Sequence, residues 1–381
     1  MRNNVLEAKT ALTTKSIKVT SFERIQIMNA LKDKYATLPQ QLRFGHVLSD
    51  FLSRVSTPVH KDDLIVGRYL EKEVSEQEDD ECKAFFKDWN LYKSTVFSCG
   101  HRTLDWERLV TLGLVGIKAE VSEKLASVKG EEESNFLNGA ILVLDGIIHF
   151  VERYASECEK NGMTVQNEVL TAISQRAPKT FYEALQLCWI VTFIDCAYVT
   201  GNPTLTLGRM DRFLNTYYEN DVKNGILTRE KAKDLITDYY CKHNLIMGVG
   251  EHQIGDESNS TGFDRILNFD APQYLLIAGT DERGEDGVTC LTYLFAECIQ
   301  PSFKNPVIVV RYYKGLNEKH PKLWETLSAK ALASASMMIY NDDDIISAFI
   351  KQGVAEKDAR NYGHFGCNWA DLGHDSLVTY M

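Results

Sequence analysis

Between Phe136 and Tyr154 the apolar residues fall at 137, 141, 144, 148 and 151, a spacing of four and three that lines one face of a helix. Asp145, His149, Glu152 and Arg153 take the opposite face. Thr228 has the chemistry of an N-cap, with Glu230 in the first turn, and predicts a helix through Ile246. Pro321 opens a further helix to about Met338. Asn341 or Asp342 caps the next, which Gly353 stops. Shorter runs predict strands at Asp63–Gly67, Gln273–Ala278 and Val307–Val310. The last is almost wholly β-branched, as suits a strand buried on both faces. Helices alternating with such strands indicate an α/β chain, mainly helical by residue count, with a helix-covered sheet or barrel. No repeat or low-complexity linker divides it.

Composition narrows the class. The 381 residues are long enough to bury a large core, and 42 basic against 53 acidic residues give a net charge of −11. Nucleic-acid and anionic-membrane binders need basic patches, so neither partner is expected. The start of the chain has no apolar signal core, and charges interrupt the longer apolar stretches, so a cytoplasmic protein without a membrane span is expected. Nine scattered cysteines without a C-x-x-C pair read as reduced thiols and give no zinc site. The charge run Glu71–Glu81 reads as a solvated loop.

Several other features carry structural readings. Asp342, Asp343 and Asp344 suit the positive end of a helix better than a metal, because consecutive residues point apart. Arg209 and Asp211 read as a buried pair, Trp106 and Trp189 as core, His149 as surface, and Gly279–Gly284 as a turn.

One loop is harder to explain by packing: Asn361 to Met381 reads NYGHFGCNWADLGHDSLVTYM, with Gly366-Cys367 among polar neighbours. It closes an ordered series of segments: Asp62-Asp-Leu-Ile-Val-Gly67, Cys99-Gly-His-Arg-Thr-Leu-Asp105, Leu112-Gly-Leu114, Ala177-Pro-Lys-Thr-Phe-Tyr-Glu-Ala-Leu-Gln186 and Leu207-Gly-Arg-Met-Asp211. Leu227-Thr-Arg-Glu230, Gly279-Thr-Asp-Glu-Arg-Gly284, Tyr340-Asn-Asp342, Gly353-Val and Asp358-Ala-Arg-Asn-Tyr362 follow. From about Phe22 to Trp369 this order resembles the pyruvate formate-lyase-like glycyl-radical enzymes.

The resemblance implies a ten-stranded barrel of two five-stranded half-sheets wrapped in helices, with a cysteine loop and a glycyl loop meeting inside. Residues 1–381 then form a single domain, the N-terminal half of that fold. Cys367 matches the cysteine that becomes a thiyl radical, which takes hydrogen from a substrate carbon and later returns it. The Arg-Val-x-Gly segment of the glycyl half does not occur here. The resemblance therefore implies a second polypeptide supplying the glycyl radical, a hetero-oligomer, and an activating radical S-adenosylmethionine enzyme. No cofactor or metal is expected on this chain itself. The isolated half should expose a large apolar sheet edge and depend on its partner.

The reaction expected is radical lyase chemistry, carbon–heteroatom or carbon–carbon cleavage, on a small polar substrate in anaerobic metabolism. Two alternatives stand beside it: a non-catalytic binding or regulatory subunit, and radical addition to an acceptor such as fumarate. Eliminating and decarboxylating members of the family read Gly-Cys-Val-Glu, whereas this chain reads Gly366-Cys367-Asn368-Trp369 and lacks that glutamate. Pyruvate formate-lyase has two adjacent cysteines, and here Gly366 takes the first place. His364 is the candidate proton carrier, with a ring suited to neutral pH. His374 and Asp375 read as bystanders. His101, Thr204, Asn368 and Trp369 match positions expected near substrate; Pro203 and Thr204 replace the His-Ser pair of dehydratase relatives, so only the Thr204 hydroxyl remains.

Overall fold

The computed structural model describes residues 2–14, 17–31, 33–70, 75–78, 80–81, 102–199, 204–246, 273–301, 303–334, 336–365 and 369–372. Most of the Glu71–Glu81 run, along with His101, Pro203, Gly366, Cys367, Asn368, His374 and Asp375, falls outside them or is only partly covered.

Five strands form one parallel sheet in sequence order: β1 (Arg102–Thr103), β2 (Leu205–Thr206), β3 (Gln273–Ala278), β4 (Val307–Tyr312) and β5 (Met337–Asn341). The central register pairs Tyr274 with Val307 and Ala278 with Arg311. Alternation divides the sheet into two faces. Leu275, Ile277, Ile308 and Val310 join the large core under the helices. Tyr274, Leu276, Val309 and Tyr340 join a smaller cluster with Tyr362 on the other face.

The helices used below are α1 (Arg2–Thr14), α2 (Gln40–Arg54), α3 (Trp106–Ser127), α4 (Glu131–Lys160), α5 (Phe181–Ile194), α6 (Arg229–Leu245), α7 (Cys290–Cys298), α8 (Pro321–Ala333) and α9 (Asp342–Lys351). The stripe read at 136–154 lies within α4. There Gly139 lets α2 approach so closely that an added Cβ would sit 2.5 Å from the Gln41 carbonyl oxygen. Thr228 caps α6 as expected, accepting the Lys231 N–H at 3.3 Å. Trp189 is fully buried, Trp106 nearly so, His149 is exposed, and Asp281–Gly284 forms the expected turn. Helix α4 and the stretch Phe181–Val199 are long and apolar enough to cross a membrane by length and composition alone, a test that core helices also pass. The second is 89% buried inside the protein as a core helix.

Two strand and helix readings change, and two short strands are new. Asp63–Gly67 is no strand: Leu64 and Ile65 donate their N–H groups to Asp238, and Val66 donates to Gln186, so side chains replace a ladder. Helix α8 stops at Ala333, and Met337–Met338 belong to β5. Strands β1 and β2 have two residues each, too few to show alternation.

Candidate active site: a hairpin on the inner face of the sheet

After α9 a short helix, Glu356–Arg360, leads into a two-stranded antiparallel hairpin. Its strands are β6 (Gly363–Phe365) and β7 (Trp369–Asp371), with Phe365 opposite Trp369. The pairing brackets Gly366, Cys367 and Asn368, which lie outside the described residues.

The incoming strand is held at two levels. At its root Arg311, wholly buried at the end of β4, makes two bonds to the buried Asp342: Nε to Oδ1 at 2.8 Å and Nη2 to Oδ2 at 3.1 Å. The same guanidinium donates to the carbonyls of Arg360 (2.8 Å) and Tyr362 (3.2 Å) and lies 3.9 Å over the Tyr362 ring. Tyr362 returns a hydroxyl bond to Asp342 at 2.5 Å, and the Thr280 N–H donates to the other carboxylate oxygen at 3.0 Å. Five donors thus converge on or around one ion pair, which offsets the cost of burying it. Asp342 stands in the first turn of α9, as read, and is in addition the counter-ion of Arg311. The signal was present, since an arginine inside VIVVRY demands a buried acid.

Two residues further in, His364 has no exposed surface. Its Nδ1 shares a 2.8 Å hydrogen bond with the Tyr340 hydroxyl of β5, and its ring lies 4.1 Å from that of Tyr274 in β3. The Thr206 hydroxyl of β2 donates to the His364 carbonyl at 2.5 Å. Burial pushes the Tyr340 phenol above its ordinary range, so it stays protonated at neutral pH. Strands β2, β3 and β5 therefore meet at one histidine, while β4 holds the root.

Of the residues singled out in the sequence, the structure places His364 on this face of the sheet. Thr204 is buried immediately before β2. Trp369 lies on the outgoing strand and is 60% exposed. Cys367, Asn368 and His101 cannot be placed, being outside the described residues. Tyr274, Tyr340, Thr206, Arg311 and Tyr362 were not singled out as site residues. Among the described residues no group of three or more His, Cys, Asp or Glu side chains could hold a metal.

Arg209 and Asp211 are both buried, yet they form no direct ion pair. Asp211 accepts the Ala278 N–H (2.8 Å) and the Thr292 hydroxyl (2.6 Å), and burial raises its pKa. Arg209 instead donates to the carbonyls of Thr280 (2.8 Å) and Ala278 (2.5 Å). Both side chains therefore grip the end of β3 rather than each other.

The whole architecture resembles solved structures. It superposes on the B12-independent glycerol dehydratase from Clostridium butyricum with a TM-score of 0.80 at 21% identity, covering 97% of this chain and 55% of that one. A glycyl radical enzyme from Archaeoglobus fulgidus gives 0.76 at 18%, covering 96% and 55%. In sequence the chain is 26% identical to the (2S)-3-sulfopropanediol dehydratase of Klebsiella oxytoca, covering 82% of this chain and 38% of that enzyme. It is 27% identical to a probable dehydratase, YbiW, of Escherichia coli (strain K12), covering 70% and 34%. The chain thus spans little more than a third of these curated relatives. The profile of the pyruvate formate lyase-like family matches residues 79–379, most of the sequence, and the chain belongs to that family.

Proposed function

We propose that this chain is the cysteine-bearing part of a glycyl-radical lyase acting on a small polar substrate. The observation that carries this reading is the hairpin: its two strands bracket Cys367, and four sheet strands hold the segment leading to it. The Cys367 thiyl radical takes hydrogen from a substrate carbon, breaking C–H and forming S–H. After the leaving group departs, the product radical takes the same hydrogen back.

His364 in this reading is the proton-handling group beside the thiol, in place of the family glutamate, with Tyr340 fixing its ring and tautomer. Thr204, His101, Asn368 and Trp369 are the substrate contacts. The residues form one domain, the first half of a ten-stranded barrel in the cytoplasm. A second polypeptide brings the other half and its glycyl radical, after activation by a radical S-adenosylmethionine enzyme. Among the described residues the outer edge of β5 is unpaired, which supports such a partner: Ile339 is 55% exposed there, and Leu332 at the end of α8 is 92% exposed.

An anaerobic pull-down of the tagged chain from its own organism, with mass spectrometry, tests the reading. Recovery of a polypeptide with an Arg-Val-x-Gly-type segment, and a complex whose turnover disappears in Cys367→Ser, is expected. A monodisperse, highly soluble monomer that recovers no such polypeptide overturns it.

A further inference from the structure

The carboxyl ends of β1 and β2 border a cavity of about 560 Å³, within the ordinary size of small-molecule sites. It lies beside the hairpin root: Tyr362 and Gly363 form part of one wall, and Trp106 and Phe213 supply apolar surface. The charge balance of this wall is unusual. Arg209 is 92% buried there, since only 8% is exposed, and it makes no ion pair among the described residues. Its Nη atoms are spent on two carbonyls, and its buried Nε–H has no partner among the described residues. Buried guanidinium groups are ordinarily matched by an acid, as Arg311 is by Asp342. Burial first, and then the neighbouring Arg311, pull the Arg209 pKa down to about 9 against the opposing pull of Asp211 and Asp342.

Two more cations line the same cavity, Arg212 and the exposed Lys357, and the buried Thr103 hydroxyl of its wall also has no partner among the described residues. Four acids line the cavity as well, but none of them pairs with Arg209 among the described residues. Glu282 pairs with Arg212 at 3.3 Å, and Asp105 accepts the Arg108 N–H at 3.0 Å as the cap of α3. Glu107 and Asp358 are exposed.

We infer that this cavity binds a small organic anion, a carboxylate or a phosphate monoester, whose charge is balanced by Arg209, Arg212 and Lys357. The occupant lies against Tyr362 and Gly363 and so contacts the strand that leads to the hairpin. This site stands apart from the radical reading above and does not depend on it.

The test is isothermal titration of the full chain with malonate and, separately, with inorganic phosphate. Arg209 also holds the end of β3, so the variant used is the rim double substitution Arg212→Gln/Lys357→Gln, with its fold checked by circular dichroism. Binding by the parent chain, weakened at least about tenfold in the rim variant and weakened by added salt, is expected. Malonate binding alone assigns a carboxylate ligand, and phosphate binding alone assigns a phosphate ester. No heat with either anion, or equal binding by parent and variant, overturns the inference.

Discussion

At the base of the helical layer Asp63 is fully buried between Lys242 of α6 (2.5 Å) and Arg68 (2.6 Å), and Arg68 reaches out to Glu7 of α1. At the carboxyl end of the sheet Arg311 and Asp342 are buried just as completely. The two assemblies use the same groups, but their partners differ. In the first every bond joins framework to framework: α1, the 62–68 segment and α6, with Asn4 of α1 donating to Asp238. In the second, two of the guanidinium bonds end on carbonyls of the segment entering the hairpin. Identical chemistry therefore serves the fold in one place and the geometry of the candidate site in the other.

The largest effects should separate the two roles. Arg311→Met leaves Asp342 buried without its counter-ion and should cost ~3–5 kcal/mol in denaturant unfolding. It should also speed tryptic cleavage at Lys357 and Arg360 while the protein is still folded. Lys242→Met should cost somewhat less, because Asp63 keeps Arg68, and should leave native-state cleavage at those sites unchanged. Equal cleavage rates in the two variants would remove the distinction.

A pH scan sharpens the comparison from the framework side. His243, near the end of α6, is wholly buried between Trp189 and Tyr239, and burial lowers its pKa to about 3. The folded value lies below the unfolded value of about 6.5, so the folded state favours the neutral ring. That contribution is whole above pH 6.5 and is lost as pH falls toward 3, amounting to about 2 kcal/mol already at pH 5. His243→Phe should flatten this part of the acid limb in thermal melts recorded between pH 7 and 4. An unchanged slope would place the acid sensitivity elsewhere.

The smallest effect belongs to the inner level of the hairpin. Tyr340→Phe removes one hydrogen bond to His364 and should cost about 1 kcal/mol. Its more telling readout is the His364 ring in a pH titration followed by NMR, where loss of the Tyr340 partner should move the resonance. A stability loss with no change at His364 would mean that Tyr340 acts only as packing.

The framework was more legible than the site. Strands β3 and β4 announce themselves because both faces are covered, leaving unbroken apolar runs such as Leu275–Ile277 and Val307–Val310. The cap at Thr228 and the stripe in α4 obey local rules and were readable for that reason. Strand β5 was not, because Ser334 to Asn341 follows a helix and its pattern, with Met337, Met338 and Ile339 only partly covered, belongs to an edge. In the candidate site, His364 and Thr204 were singled out through their spacing from Cys367 and Gly208. Tyr340 and Tyr274 were missed because their role arises only where separate strands meet.

The hairpin contacts have a further consequence for how the protein is made. Thr206 lies 158 residues before the carbonyl it holds, and Arg311 lies 51 before Tyr362. A peptide spanning only the cysteine segment contains none of these anchors, and contacts of such long range form late and slowly. The seat of the His364 strand is therefore a product of the assembled sheet, so correct folding of the first three hundred residues is itself the safeguard that decides whether this strand is ever held in place.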